Sequence, residues 1–149
     1  ESALTGHLVL SSLHTHSAMD TLVRLRDLGV DPYAFADTLK AVIAQRLVRR
    51  LCPSCKAPDP DRPDNDPTIY VPVGCELCDG LGYKGRLAAH ELLLVTGPSR
   101  RGLQALSTAP QLKALAMAHG FVPLADDAMR LVQQGLTSMA EIAPLLLDE

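Results

Sequence analysis

The chain has 149 residues, a length that suits one ordinary domain or two small subdomains. Hydrophobic residues are 47% of it but aromatics only 3%, so a core can form and must be built mainly from Leu, Ala and Val. The formal net charge of −3 argues against a nucleic-acid partner, and no stretch reads as a membrane span or a targeting segment.

Residues 7–13, His-Leu-Val-Leu-Ser-Ser-Leu, read as a short, mostly apolar strand of the buried parallel kind. His14, Thr15 and His16 then lie beyond its carboxyl end, where ligands gather in α/β sheets. Regular alternation would put His7 and His14 on opposite faces. Ser17 with Asp20 marks a helix start, Ala18, Leu22, Leu25 and Leu28 form its apolar stripe, and Gly29 stops it. Asp31 and Pro32 open a second helix as N-cap and first residue. Its expected buried face is Phe35, Leu39, Val42, Ile43 and Leu47. On that helix Gln45 shares a face with Arg49, and Arg46 with Arg50. The basic run from Arg46 to Arg50 reads as the solvated end of the helix, where cations oppose the dipole.

Residues 56–73 are rich in Pro and Asp, which excludes regular helix and a central strand and leaves a surface excursion. Residues 80–85 are turn-rich, and residues 86–95 read as a strand. Helices are expected over 98–106, 110–119 and 124–134, the last two stopped by Gly120 and Gly135. Ser138 with Glu141 is a capping box that opens a last helix.

The chemistry concentrates in four cysteines, arranged as Cys52-Pro53-Ser54-Cys55 and Cys75-Glu76-Leu77-Cys78, with nineteen residues between the pairs and no cysteine left over. Two C-x-x-C knuckles supply the four ligands of a tetrahedral Zn²⁺. Two disulfides are the competing reading and require an oxidising compartment, for which the sequence gives no sign. Four thiolates leave no open position for water, so the metal is expected to be structural. His90 and Glu91 lie inside an apolar strand and read as structural, and Ser11 and Ser12 lack the G-x-S-x-G elbow of a hydrolase.

Residues 4–15, Leu-Thr-Gly-His-Leu-Val-Leu-Ser-Ser-Leu-His-Thr, resemble the histidine box of the secretion ATPases, the motors of type II secretion and type IV pilus assembly. The resemblance continues through Ala44-Gln45-Arg46-Leu47-Val48-Arg49-Arg50-Leu51-Cys52, both cysteine pairs, Gly82-Tyr83-Lys84-Gly85-Arg86, His90-Glu91-Leu92-Leu93 and the tail from Leu124 to Ser138. The tetracysteine motif is a mark of the assembly and secretion members. The family's G-x-x-x-x-G-K-[ST] P-loop, Walker B segment and acidic box are absent from this sequence.

The resemblance therefore implies an α/β fold: the C-terminal part of a RecA-like P-loop ATPase domain with a tetracysteine zinc-binding insertion and a C-terminal helical bundle. It divides the chain into residues 1–51 (core with histidine box), 52–79 (zinc module), 80–97 (return strand) and 98–149 (helical subdomain). It implies a hexameric ATPase on the cytoplasmic face of the inner membrane, engaging a membrane platform protein and a cytoplasmic assembly partner. ATP and Mg²⁺ would be handled by the full-length protein, and the chain alone is expected to be inactive. His14 is expected to face the γ-phosphate, His7 to link the box to the acidic residues, and Gln45 and Arg46 to lie on the nucleotide side. Cys52, Cys55, Cys75 and Cys78 are the implied zinc ligands. A free-standing zinc-dependent interaction module is the alternative.

Overall fold

The structure, a computed structural model, describes residues 2–61, 69–105 and 108–147. Helix α1 (Ala18–Asp27) begins where the Ser17 hydroxyl accepts the Asp20 N–H, as its sequence announces. Gly29, at φ 78°, ends it. Asp31 caps α2 (Pro32–Thr38) by accepting from the backbone of Tyr33 and Ala34. The helix stops there, well short of its expected length, and β1 (Ala41–Leu51) follows.

This strand is the main correction to the sequence reading. Residues 41–51 contain good helix formers, but Val42, Ile43 and Val48 are β-branched, and the burial runs with period two. Val42 and Val48 point inward and are buried, whereas Ile43 and Leu47, assigned to a buried helical face, are 66% and 61% exposed. Pairing with β4 (Tyr83–Leu94) overrides local preference. A second correction concerns residues 7–13, which form no strand: they have no ladder partner among the described residues, and Leu8 and Leu10 are 84% and 89% exposed. An apolar segment becomes a strand only where a neighbouring strand pairs its backbone groups.

Between the long strands, β2 (Ala57–Pro58) pairs antiparallel with β3 (Tyr70–Val71), and the Asp59 N–H reaches the Ile69 carbonyl at 3.0 Å. This short ladder closes the base of the Pro/Asp excursion, whose residues 62–68 lie outside the described residues. Among the described residues four helices follow β4: α3 (Gly97–Gln104), α4 (Ala109–Met117), α5 (Leu124–Gln133) and α6 (Met139–Leu147). Gly120 and Gly135, both at positive φ, end α4 and α5 where expected. No helix among the described residues is long and apolar enough to cross a membrane.

The chain forms two compact units, and the helices of the last third fall in both. The first comprises residues 1–44 and 91–122. Its core gathers Ala18, Met19 and Leu22 of α1 with Ala36, Val42, Leu93, Leu103, Leu112 and Phe121. Within it α2 packs on α3, and α4 on both α1 and α3. Glu91 is buried and accepts the N–H of Ala18 at the start of α1, which gives it the structural role its apolar strand suggests. The second unit comprises residues 45–90 and 123–149, with α5 packed on α6 around Val48, Ala89, Ala128, Leu131, Val132 and Ile142.

Ile142 is fully buried in this core, whereas Leu147, on the same helix, is 85% exposed. Truncating Ile142 to Ala is expected to lower stability by about 2–5 kcal/mol, while Leu147→Ala stays within about 0.5 kcal/mol. Urea unfolding of both variants checks this.

Candidate metal centre

The first knuckle leaves the end of β1. The Cys52 carbonyl accepts from the backbone of Cys55 at 3.3 Å and of Lys56 at 3.0 Å, curling the chain so that both thiols face the same way. The second knuckle repeats the device: the Cys75 carbonyl accepts from Cys78 at 3.2 Å and from Gly80 at 2.9 Å. Residues Glu76–Cys78 form a single 3₁₀ turn, after which Asp79 (φ 52°) and Gly80 (φ 76°) take the left-handed conformation in succession. Two glycines admit close backbone approach. A Cβ on Gly74 would lie 2.5 Å from the Gly80 carbonyl oxygen, and one on Gly82 would lie 2.5 Å from Cβ of Pro72.

These turns bring all four sulfurs within 4.8 Å of one another. Cys52 and Cys75 are 3.9 Å apart, Cys55 and Cys78 3.8 Å, and Cys75 and Cys78 3.7 Å. A tetrahedron with metal–sulfur bonds of about 2.3 Å has edges of about 3.8 Å, so the cluster has the dimensions of a tetrathiolate site. The same separations are nearly twice the disulfide bond length of about 2.05 Å. The four cysteines together can hold a metal ion.

Backbone N–H groups are aimed at two of the sulfurs. Gly74 donates to Cys55 at 3.3 Å, and Cys75 and Gly82 donate to Cys78 at 3.3 and 3.2 Å. Burial raises the Cys55 thiol to about 11, with a single N–H opposing it. Burial pushes Cys78 up as well, but its two N–H donors and the adjacent Cys75 and Cys55 thiols outweigh that and bring it to about 7. Cys78 is thus more readily deprotonated than Cys55.

The histidines of the expected box are elsewhere. His7 and His14 are exposed, on a stretch that belongs to no helix or strand. His7 is held locally, its Nδ1 lying 3.0 Å from the Thr5 hydroxyl and 3.2 Å from the Ser2 carbonyl. His16 is likewise exposed. Gln45 and Arg46 sit in β1, not on a helix, and so point to opposite faces, Gln45 exposed and Arg46 half-buried. His7 and His14 belong to the first unit, and Gln45, Arg46 and the four cysteines to the second.

Around the metal centre the second unit carries polar contacts that the sequence reading missed. Arg49 of β1 meets Glu141 of α6 through its backbone N–H (2.9 Å), Nε (2.9 Å) and a terminal guanidinium nitrogen (2.6 Å), and its guanidinium lies 4.1 Å from the Tyr83 ring centre. Glu141 thereby leaves the capping box half-made: its N–H reaches the Ser138 hydroxyl at 3.3 Å, but its carboxylate is spent on Arg49. Asp127 of α5, buried, accepts from the His90 backbone at 3.0 Å and from two nitrogens of Arg130.

Comparison with known proteins identifies the family. The model of the Type II/IV secretion system protein family covers residues 1–144. The chain belongs to this family. It is 39% identical, over 95% of its length, to the type IV pilus assembly ATPase PilB of Thermus thermophilus, of which the match covers 17%. It is 38% identical, over 95% of its length, to the type II secretion system ATPase E of Vibrio cholerae, and 37%, also over 95%, to the type II secretion system protein E of Aeromonas hydrophila. In each of these two the match covers 30% of the relative, so the chain spans less than a third of the length of these relatives. Among solved structures, the pilus retraction motor PilT with bound ADP superposes with a TM-score of 0.61 over 94% of this chain and 34% of the motor, at 21% identity, a likeness of fold.

Two expectations follow from the geometry. Gly82→Ala must displace Pro72 at a residue with φ 74°, so it is expected to weaken metal retention under a chelator challenge far more than Gly85→Ala, whose Cβ meets open space at a similar φ. The carboxyls of Glu141, hydrogen-bonded to Arg49, and of Asp127, where the His90 N–H and Arg130 outweigh burial, are held below their usual range. Their stabilising contribution is complete above their ordinary values and is lost as pH falls through the lowered ones. Stability should therefore fall as pH drops below about 4.5, less steeply in Glu141→Gln, as followed by thermal unfolding at successively lower pH.

Proposed function

We propose that the chain serves as the C-terminal part of a hexameric ATPase that powers type II protein secretion or type IV pilus assembly. The observation that carries this reading is the family match over residues 1–144, joined by relatives named as secretion and pilus assembly ATPases that align along 95% of the chain. ATP and Mg²⁺ are handled by the full-length protein, whose P-loop this sequence lacks, and the chain alone does not turn ATP over. Its contribution is the histidine box, the metal module and the C-terminal helices. His14 stands exposed on an unpaired stretch, available to donate a hydrogen bond to a phosphate oxygen or an attacking water. His7 links the box to acidic residues of the upstream part, and Gln45 and Arg46 lie toward the nucleotide side.

The metal is Zn²⁺, held by Cys52, Cys55, Cys75 and Cys78. When bound it supplies a structural cross-link between the two knuckles, with no coordination position left for water. The knuckles hold the ends of the Pro/Asp excursion and present a module that docks on the inner-membrane platform protein. A cytoplasmic assembly partner engages the motor as well, on the cytoplasmic face of the inner membrane, without nucleic acid. A free-standing zinc interaction module accounts for the cysteines but not for the match across residues 1–144.

The test is ATP turnover. The 149-residue chain is expected to show none with Mg-ATP. A longer chain carrying the upstream P-loop segment is expected to hydrolyse ATP, with His14→Ala lowering kcat about tenfold or more. Turnover by the short chain, or an unchanged rate in the longer His14→Ala protein, would contradict the proposal.

A further inference from the structure

We propose that Lys56 couples the metal centre to the C-terminal helix pair: occupancy of the four-cysteine site positions the Lys56 ammonium, which in turn holds the turn between α5 and α6. The inference rests on the reading that the four cysteines bind a metal.

Lys56 follows the second ligand of the first knuckle, and its N–H is donated to the Cys52 carbonyl at 3.0 Å, so its backbone is fixed by the same turn that aims the thiols. Its half-buried side chain reaches across 79 residues of sequence to donate to the Gly135 carbonyl at 2.7 Å. Its Nζ also lies 4.3 Å from the centre of the Tyr70 ring, on β3. Gly135 is the left-handed residue that ends α5: its N–H returns to Val132 and that of Leu136 to Leu131, which closes the helix and leaves the Gly135 carbonyl free to face the lysine. The ammonium therefore sits at the negative end of α5, where a cation is favoured. The fit leaves no room for change, because a Cβ on Gly135 would lie 2.8 Å from the Tyr70 ring and 3.1 Å from Nζ of Lys56.

The same turn is tied to β1 by the Leu51 N–H to the Leu136 carbonyl at 2.9 Å and the Thr137 hydroxyl to the Arg49 carbonyl at 2.8 Å. Those two ties originate in a strand held by its ladder with β4. Tyr83 of β4 adds a fourth tie, its hydroxyl 2.7 Å from that of Ser138; of the four, Lys56 alone lies between the cysteine pairs, on a segment whose course depends on the thiols being drawn together. Removing the metal should thus release the Lys56 contact first and loosen residues 135–138, while β1 stays paired.

Amide hydrogen exchange read by mass spectrometry, with metal content measured on the same samples, tests this. In the zinc-loaded protein, chelation is expected to speed exchange at residues 135–138 about tenfold or more. Lys56→Met, with its zinc retained, should exchange at that faster rate before any chelator is added and change little afterwards. Lys56→Arg should restore both the protection and its dependence on metal. The proposal is overturned if zinc leaves the wild-type protein without altering exchange at 135–138, or if zinc-loaded Lys56→Met stays as protected as wild type. A protein that binds no zinc would remove the metal reading itself, and the coupling with it, an outcome that the metal content separates from the other two.

Discussion

The second unit is organised by the convergence of four thiols from two knuckles separated by nineteen residues. Sulfur atoms 3.7–3.9 Å apart make no covalent bond to one another, and as thiolates they repel. A shared cation would turn that repulsion into a cross-link, with a folding contribution on the order of 10 kcal/mol in small zinc peptides. The backbone is committed to this arrangement in advance: Gly74 and Gly82 allow contacts that no side chain would permit, and N–H groups point at the sulfurs.

From that centre the constraint spreads by short steps. The first knuckle ends β1, whose Leu51 and Arg49 bind the α5–α6 turn. The second knuckle leads directly into β4, where Tyr83 meets Ser138 at 2.7 Å and stacks beneath Arg49. Glu141 then holds Arg49 from α6. An exposed ion pair of this kind adds little stability by itself. Its value here lies in fixing the register of α6 against β1 beside a core in which Val132 and Ile142 are completely buried. Among its described residues the first unit shows no such cluster of ligands and relies on an apolar core in which Ala18, Ala36 and Ala116 pack with Leu22, Leu93, Leu112 and Phe121.

What was legible in the sequence was local. The knuckle spacing, the caps at Ser17 and Asp31, and the stops at Gly29, Gly120 and Gly135 all encode their geometry within a few residues. The family was legible too, because its motifs recur along the whole chain. Residues 41–51 were misread because a run of Ala, Gln, Arg and Leu favours helix locally, and only pairing with β4, some forty residues on, makes it a strand. Residues 7–13 have the composition of a buried strand, but a strand is defined by its neighbour, and the described chain supplies none. The ties of Lys56 to Gly135 and of Arg49 to Glu141 span 79 and 92 residues, and nothing in the local pattern of either partner points to the other.

The proposed site binds one metal ion through all four thiols. Native mass spectrometry of the reduced protein, purified without added chelator, tests it directly. The expected result is a single species carrying about one zinc ion per chain, lost only on denaturation or strong chelation. A metal-free chain, or one lighter by four hydrogens and so carrying two disulfides, would contradict it.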